Sequence, residues 1–78
     1  MFNIIAPFIT EIGSKTFAKF YQLRFVYAPL LKVINNKAFY CCYGLFQVAS
    51  ENIEFVGESA FDNCNSLQKI NLKNCSTL

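Results

Sequence analysis

Apolar residues recur along this 78-residue chain at a spacing of 22 positions. The clearest column holds Phe17, Phe39 and Phe61, with no insertion between units. Seven further columns keep the same spacing: Ile12, Ile34 and Val56; Thr16, Ala38 and Ala60; Phe20, Cys42 and Cys64; Leu23, Leu45 and Leu67; Val26, Val48 and Ile70; Ala28, Ser50 and Leu72; Leu31, Ile53 and Cys75. Eight columns in one register predict a stack of repeated units, since a fixed period is the signature of repeat architectures.

A polar column predicts a turn in each unit. The position after the Ile/Val column holds Gly13, Asn35 or Gly57, and these residue types accept left-handed backbone cheaply. We therefore expect a residue with positive φ at this point of every unit.

A short helical segment is predicted over residues 15–21, after that turn. Ser14 is a suitable N-cap, and Thr16, Phe17 and Phe20 follow at helical spacing, so they are expected to face the core. Lys15 and Lys19 would then face water. In the second and third units, Ala38, Phe39 and Cys42, and Ala60, Phe61 and Cys64, take the same inner positions.

Alternating apolar residues predict one strand per unit. Leu23, Val26 and Ala28 form the first, which Pro29 ends, and Leu45, Val48 and Ser50 form the second. Ser50 is an unusual inward residue, which either caps the following turn or leaves a small gap. Residues 1–7 fit the same columns as a partial unit that begins or caps the sheet.

The third unit has the strongest family resemblance. Residues 56–72 read VGESAFDNCNSLQKINL, which resembles the Ile-Gly-x-x-Ala-Phe-x-x-Cys-x-x-Leu-x-x-Ile-x-Leu pattern of BspA-like leucine-rich repeats. The resemblance covers about three and a half units and is weakest in the second. It implies an α/β repeat fold: a short right-handed solenoid with a parallel sheet and short helical or irregular arms. It also implies a non-enzymatic binding or adhesion module, often at a cell surface. We expect one domain over residues 1–78, complete or part of a longer array.

The composition favours a folded, non-catalytic chain. Hydrophobic residues make up 54% and charged residues 15%, which is typical of a globular protein. The net charge of +2 is too small to argue for nucleic acid or an anionic membrane as partner. There is no histidine, so the commonest general base and the commonest metal ligand are missing. The three glycines are scattered and do not form a glycine-rich phosphate-binding loop. We predict no enzyme activity, no cofactor and no metal.

No apolar run approaches the roughly 18 residues needed to span a bilayer. The N-terminal sequence lacks a basic region and a cleavage site, so it is predicted to belong to the repeat. These features favour the cytoplasm, or the cell surface if the chain belongs to a longer protein of the family.

The four cysteines allow two interpretations. Cys42 and Cys64 share a column, and stacked strands lie about 4.8 Å apart, so a disulfide between them is conceivable. Free cysteine also behaves as a small buried hydrophobe, and this favours reduced thiols in the core. No paired C-x-x-C spacing indicates a metal site.

The outward positions of the predicted strands form a candidate partner-binding surface. They are Arg24, Phe25, Tyr27, Phe46, Gln47, Ala49, Gln68, Lys69 and Asn71. Exposed aromatics and arginine are the types that anchor protein interfaces, so we expect a protein partner on this surface. The alternative is that Phe25 and Phe46 are covered by the N-terminal segment or by a larger fold. The other exposed aromatics, Tyr21, Tyr40 and Tyr43, are expected at the corners between arms and strands.

A second function class depends on the C-terminal end of the stack. Repeat stacks usually need capped ends, and no polar capping segment follows the third unit in this sequence. The end lined by Phe61, Leu67, Ile70, Leu72 and Cys75 is therefore predicted to be apolar and exposed. The chain would then be a structural subunit that docks or self-associates through this end. A third alternative is an adhesion segment of a cell-surface protein.

Overall fold

The chain winds into a parallel β-solenoid of about three turns. A computed structural model describes residues 1–76. The strands are β1 (Phe2–Ile5), β2 (Glu11–Ile12), β3 (Leu23–Tyr27), β4 (Val33–Ile34), β5 (Gln47–Ala49), β6 (Phe55–Val56) and β7 (Lys69–Ile70). The solenoid and its repeat of about 22 residues confirm the architecture expected from the columns.

Two parallel sheets run along the stack. The four-stranded sheet has the order β1-β3-β5-β7, and the three-stranded sheet has the order β2-β4-β6. Paired residues are one repeat apart, as in Val26 with Val48 and Ile12 with Ile34. One strand per unit was predicted from the sequence, and the second sheet was not predicted. Its strands are only two residues long, which is too short to produce an alternation that can be recognised.

The apolar columns meet between the sheets and the connecting turns. The buried core consists of Ile12, Leu23, Val26, Ala28, Leu31, Ile34, Ala38, Phe39, Cys42, Leu45, Val48, Ile53 and Ala60. The second unit contributes most of these residues because it has a neighbour on both sides. Ser50 is also buried, and its hydroxyl donates to the Leu31 carbonyl oxygen at 3.0 Å, so it does not cap the turn that follows it.

Of the two expected arm types, helical and irregular, the arms are irregular, and the helix predicted over residues 15–21 is wrong. Among residues 1–76 there is no helix, and so none that is long and apolar enough to cross a membrane. Each arm is a chain of tight turns, such as Phe20 N–H to Phe17 C=O at 3.1 Å. Ser14 is not an N-cap, because its hydroxyl donates to the Asn36 carbonyl oxygen in the next unit. Thr16 is exposed rather than in the core.

The turn geometry also differs from the prediction. Among the described residues no glycine has positive φ. The left-handed residues are Lys15, Lys37 and Ser59, and Lys19, Cys41 and Asn63, with φ between 57° and 63°. Each set forms a column, so every arm has two left-handed residues four positions apart. These residues break the helix that the apolar spacing suggested.

Gly57 serves a different purpose from the one predicted. A Cβ atom on Gly57 would lie 2.5 Å from the Asn36 nitrogen and 2.7 Å from the Asn35 carbonyl carbon. The glycine is therefore needed for close approach between units. Asn35, in the same column, donates its side-chain amide to the Ile12 carbonyl oxygen at 2.9 Å and to the Glu11 carboxylate at 2.8 Å.

Candidate interaction surface

The nine predicted positions, here called the sheet face, lie along the four-stranded sheet. Arg24, Phe25, Tyr27, Gln47, Ala49 and Lys69 are in its strands, and Phe46, Gln68 and Asn71 directly flank them. Leu23 and Val26 are fully buried beneath the sheet face, which leaves the positions between and after them on the outside. Within the face, Phe25 pairs with Gln47 and Tyr27 with Ala49, and Gln47 pairs in turn with Lys69. The face therefore has three rows, one from each of the units that follow β1.

The exposure of the nine residues divides them into two groups. Tyr27, Gln68 and Lys69 are exposed, with Tyr27 at 42% of its full accessible area. The half-buried members are Arg24, Phe25, Phe46, Gln47, Ala49 and Asn71. Phe25 and Phe46 are neither core residues nor fully solvated. Their rings are partly covered by neighbours and present the remainder to solvent.

Phe46 lies between two cations. The guanidinium carbon of Arg24 is 4.4 Å from the centroid of the Phe46 ring, and the Lys69 ammonium is 5.9 Å from it. Both distances are within the range of cation–π attraction, which is worth about 0.5–1 kcal/mol at exposed sites. Arg24 of the first row and Lys69 of the third row therefore both lie within cation–π distance of the Phe46 ring in the second row. The three residues were predicted to share a surface, but their cation–π contacts were not predicted.

A shallow depression of about 210 Å³ lies toward the end of the face formed by β5 and β7. Its lining residues are Gln47, Val48, Ala49, Ser50, Glu51, Lys69, Ile70 and Asn71. Four of the nine predicted residues belong to this set. Ser50 and Glu51 were not predicted as surface contacts, because Ser50 occupies an inward column and Glu51 lies beyond the strand.

Three backbone N–H groups at the C-terminal end of the stack have no acceptor in the described part of the chain. The N–H groups of Lys37, Phe39 and Cys41 donate to the carbonyl oxygens of Glu58, Ala60 and Asp62 in the next unit, at 2.8–3.0 Å. The equivalent N–H groups, those of Ser59, Phe61 and Asn63, have no acceptor among residues 1–76. Phe61, Cys64, Leu67, Ile70 and Leu72 pack against the core and remain partly exposed.

Three cysteines differ in their chemistry. Cys42 and Cys64 donate their thiols to carbonyl oxygens of the preceding unit, and burial raises the pKa of both, that of Cys64 to about 11. Cys41 behaves oppositely. Burial acts to raise its pKa, but hydrogen bonds from Asn63, Tyr43 and Tyr40 and the charge of Lys19 together lower it. The structure describes these three residues as thiols, not as disulfide partners.

The corner tyrosines form one pair. Tyr21 and Tyr43 stack with ring centroids 5.2 Å apart and an angle of 11° between the ring planes. Tyr40 is not part of this stack, and its ring centroid lies 5.5 Å from the Lys37 ammonium. Across residues 1–76, no three side chains of histidine, cysteine, aspartate or glutamate come together in a way that could hold a metal ion.

Comparison with known proteins identifies the repeat. Residues 3–78 match the family model described as "BspA type Leucine rich repeat region (6 copies)". No curated protein and no solved structure gives a significant match to the chain.

Proposed function

The chain belongs to the BspA-type leucine-rich repeat family, and from this premise we propose that it binds a protein partner through the outer face of its four-stranded sheet. Repeats of this family are generally non-catalytic, and protein binding and adhesion are typical of them. The observation that carries the proposal is the arrangement of Arg24 and Lys69 around the half-exposed ring of Phe46.

The composition of the face suits an interface centre. Aromatic residues and arginine dominate the binding energy of protein interfaces, and the aromatic ones bury a large area at little cost in side-chain freedom. Here Tyr27 and Phe46 supply the aromatic area, and Arg24 supplies charge-assisted donors next to it. The face has no acidic side chain among its nine residues, so a partner surface with carboxylates beside an apolar patch would be complementary to it.

The size of the sheet face limits the binding affinity that we expect for a protein partner. A stable protein interface uses about 20–30 residues on each side, and hot spots form only a fraction of them. Nine residues are therefore enough for the centre of an interface or for a transient contact. The depression beside Ala49 offers a place for one side chain of the partner.

Paired variants test this proposal. Immobilised wild-type chain and the Tyr27→Ala and Arg24→Ala variants are exposed to the same extract, and captured proteins are quantified by mass spectrometry. Tyr21→Ala is the matched control, because Tyr21 is exposed to a similar extent but belongs to the Tyr21–Tyr43 corner pair. We expect at least one protein captured by wild type and control to be lost from both face variants, while circular dichroism spectra stay unchanged. Identical capture by all four chains would contradict the proposal.

A second candidate function rests on the unused donors at the C-terminal end. The N–H groups of Ser59, Phe61 and Asn63 point to the place that another unit would occupy, and the apolar residues around them are partly exposed. The chain would then dock as a subunit or self-associate through this end. Light scattering coupled to size exclusion separates the two candidates: a concentration-independent monomer favours the sheet face, and a dimer abolished by Phe61→Asp favours the end.

A further inference from the structure

A second depression lies on the turn side of the solenoid, away from the nine residues of the sheet face. It has a volume of about 240 Å³ and is lined by Lys15, Ala18, Lys19, Lys37 and Tyr40. Two stacked turns form it, one closed by the bond from Ala18 N–H to Lys15 C=O and the other by the bond from Tyr40 N–H to Lys37 C=O, both at 3.2 Å.

The depression exists because two repeats differ at one column. The first unit has Ala18 where the second has Tyr40. The small side chain of Ala18 leaves space next to the larger ring of Tyr40, which becomes a wall. In the third unit this column holds Asp62, so the cationic site is confined to the first two units.

The three lysines share one backbone conformation, which is held by hydrogen bonds to the next unit. Lys15, Lys19 and Lys37 have φ of 60°, 63° and 58°, in the left-handed region. Their N–H groups all donate across to the next unit, to Asn36, Tyr40 and Glu58. Lys15 and Lys37 occupy the same column, so their backbones are about 4.8 Å apart in the stack. Three lysine side chains that start from fixed backbone positions therefore line one small depression.

The charge of the chain is concentrated at this place. Three of its seven lysines and arginines line the depression, and the rest of the chain has four positive and five negative charges. None of the three ammonium groups forms an ion pair with a carboxylate among residues 1–76. The three side chains line the same depression, so their positive potentials act together on a ligand bound there.

We propose that this depression binds a small ligand that carries a phosphate or sulfate group. Each lysine supplies three N–H donors and a full charge, which suits an oxyanion with several acceptor oxygens. The ring of Tyr40 offers an apolar wall to the organic part of the ligand. Pockets for drug-sized ligands measure about 300–1,000 Å³, so this smaller space selects a monoester of modest size.

Nuclear magnetic resonance titration tests the site on the full chain. Inorganic phosphate, inorganic sulfate and phenyl phosphate are added separately to ¹⁵N-labelled protein at constant ionic strength. We expect saturable shifts at the amides of residues 15–19 and 37–40, with a dissociation constant on the order of 1 mM for phenyl phosphate. Tighter binding of phenyl phosphate than of inorganic phosphate would show that Tyr40 contributes. Sulfate should shift the same amides, because it offers the lysines the same kind of acceptor oxygens.

Two double variants distinguish the site from general charge attraction. The double variant Lys15→Gln with Lys37→Gln should weaken phenyl phosphate binding about fivefold or more, since two exposed charge contacts are lost. The matched control is Lys32→Gln with Lys73→Gln, which removes the same charge from exposed positions outside the depression and should change the constant less than about twofold. Equal weakening in both, or shifts that never saturate, would overturn the proposal.

A third variant covers the case in which removing two lysines disturbs folding. Ala18→Leu keeps every charge and fills the space beside Tyr40. It should abolish the advantage of phenyl phosphate over inorganic phosphate. If phenyl phosphate binds this variant as tightly as wild type, the ligand does not occupy the depression and the proposal fails.

Discussion

The Cys64 thiol donates a hydrogen bond to the backbone carbonyl oxygen of Phe39, with the two atoms 3.0 Å apart. The same bond recurs one unit earlier, from Cys42 to Phe17, also at 3.0 Å. The cysteine column thus ties each arm to the arm of the preceding unit. Because the thiol must stay protonated to donate, this bond connects the packing of the units to pH.

The stability of the chain should decrease in alkaline solution. Burial raises the pKa of Cys64 from 9.0 to about 11, and burial also raises the pKa of Cys42. When the folded-state pKa is higher, the unfolded chain loses its proton first, so stability is full below about pH 9 and falls as the pH rises toward 11. A two-unit shift corresponds to about 2.7 kcal/mol, which we reduce to about 1 kcal/mol because Cys64 is half-exposed.

Urea unfolding at pH 8 and pH 10.5 measures this decrease. Cys64→Ala should be less stable than wild type at pH 8 but should lose less on going to pH 10.5. In both proteins the raised pKa values of Tyr40 and Tyr43, caused first by their hydrogen bonds with Cys41, add to the residual slope, and the lowered pKa of Cys41 opposes it. A difference in unfolding free energy between wild type and Cys64→Ala that is the same at the two pH values would refute this assignment.

The three thiols should titrate in a defined order, with Cys41 first. Its burial is outweighed by hydrogen bonds from Asn63, Tyr43 and Tyr40, which stabilise the thiolate. The Cβ carbon shifts of ¹³C-labelled cysteine report each ionisation directly. Tyr43→Phe and Tyr40→Phe should raise the pKa of Cys41, and Tyr21→Phe should leave it unchanged. If Cys41 titrates together with Cys64 in the wild type, the hydrogen bonds do not have this effect.

The phenylalanine column should carry much of the stability. Phe39 is fully buried and stacks on Phe17 at 5.5 Å and on Phe61 at 5.3 Å. Such ring pairs contribute about 0.5–1.5 kcal/mol beyond the area that they bury. Phe39→Leu loses both stacks and leaves a void, and we expect it to cost about 2–3 kcal/mol. Phe61→Leu should cost less, because Phe61 is half-exposed and has one stack among the described residues.

Thermal unfolding followed by circular dichroism is sufficient to measure these costs, since about 1 kcal/mol shifts the midpoint by about 4–8 °C in a domain of this size. Phe8→Leu is the control, because Phe8 is 83% exposed and should show no shift. A smaller effect for Phe39→Leu than for Phe61→Leu would be inconsistent with a central stack.

The repeat could be predicted from sequence because the strand pairing obeys the same period. Val26 and Val48 are paired in the sheet, just as their shared column requires. The same 22-residue spacing assigned each of the nine face residues to its unit. It could not show that Arg24 contacts the Phe46 ring, because that contact depends on side-chain conformation rather than on spacing.

The helical arms were mispredicted for a physical reason. A spacing of three or four between apolar residues such as Phe17 and Phe20 fits a helix, but it fits successive tight turns equally well. The deciding residues are Lys15 and Lys19, whose left-handed φ interrupts any helix. Lysine has no particular preference for this conformation, so its identity carried no signal. The column of Gly13, Asn35 and Gly57 gave a clearer signal for positive φ, so the left-handed residue of each turn was predicted at the wrong position.

Close packing at Gly57 should make this position intolerant of any side chain. An alanine Cβ would overlap backbone atoms of Asn35 and Asn36, which cannot move without separating the two units. We expect Gly57→Ala to cost about 1–3 kcal/mol, as overpacked sites do. Gly13→Ala is the matched control, because its nearest neighbour is the Thr16 hydroxyl oxygen at 3.1 Å, the end of a side chain on an exposed residue. Equal midpoints of thermal unfolding for the two variants would show that the units are not held this closely.

The left-handed residues offer a way to stabilise the chain. Ser59 has φ of 57°, which costs a residue with a Cβ atom about 1–2 kcal/mol. Glycine avoids this cost but loses more chain entropy on folding, about 0.5–1 kcal/mol. We therefore expect Ser59→Gly to raise the unfolding free energy by about 0.5 kcal/mol and Ser59→Val to lower it by more than that. Ser66→Gly is the control, because Ser66 is half-buried in a turn like Ser59 but lacks positive φ, and it should be destabilised. A loss of stability in Ser59→Gly as large as in Ser66→Gly would mean that residue 59 is not left-handed in solution.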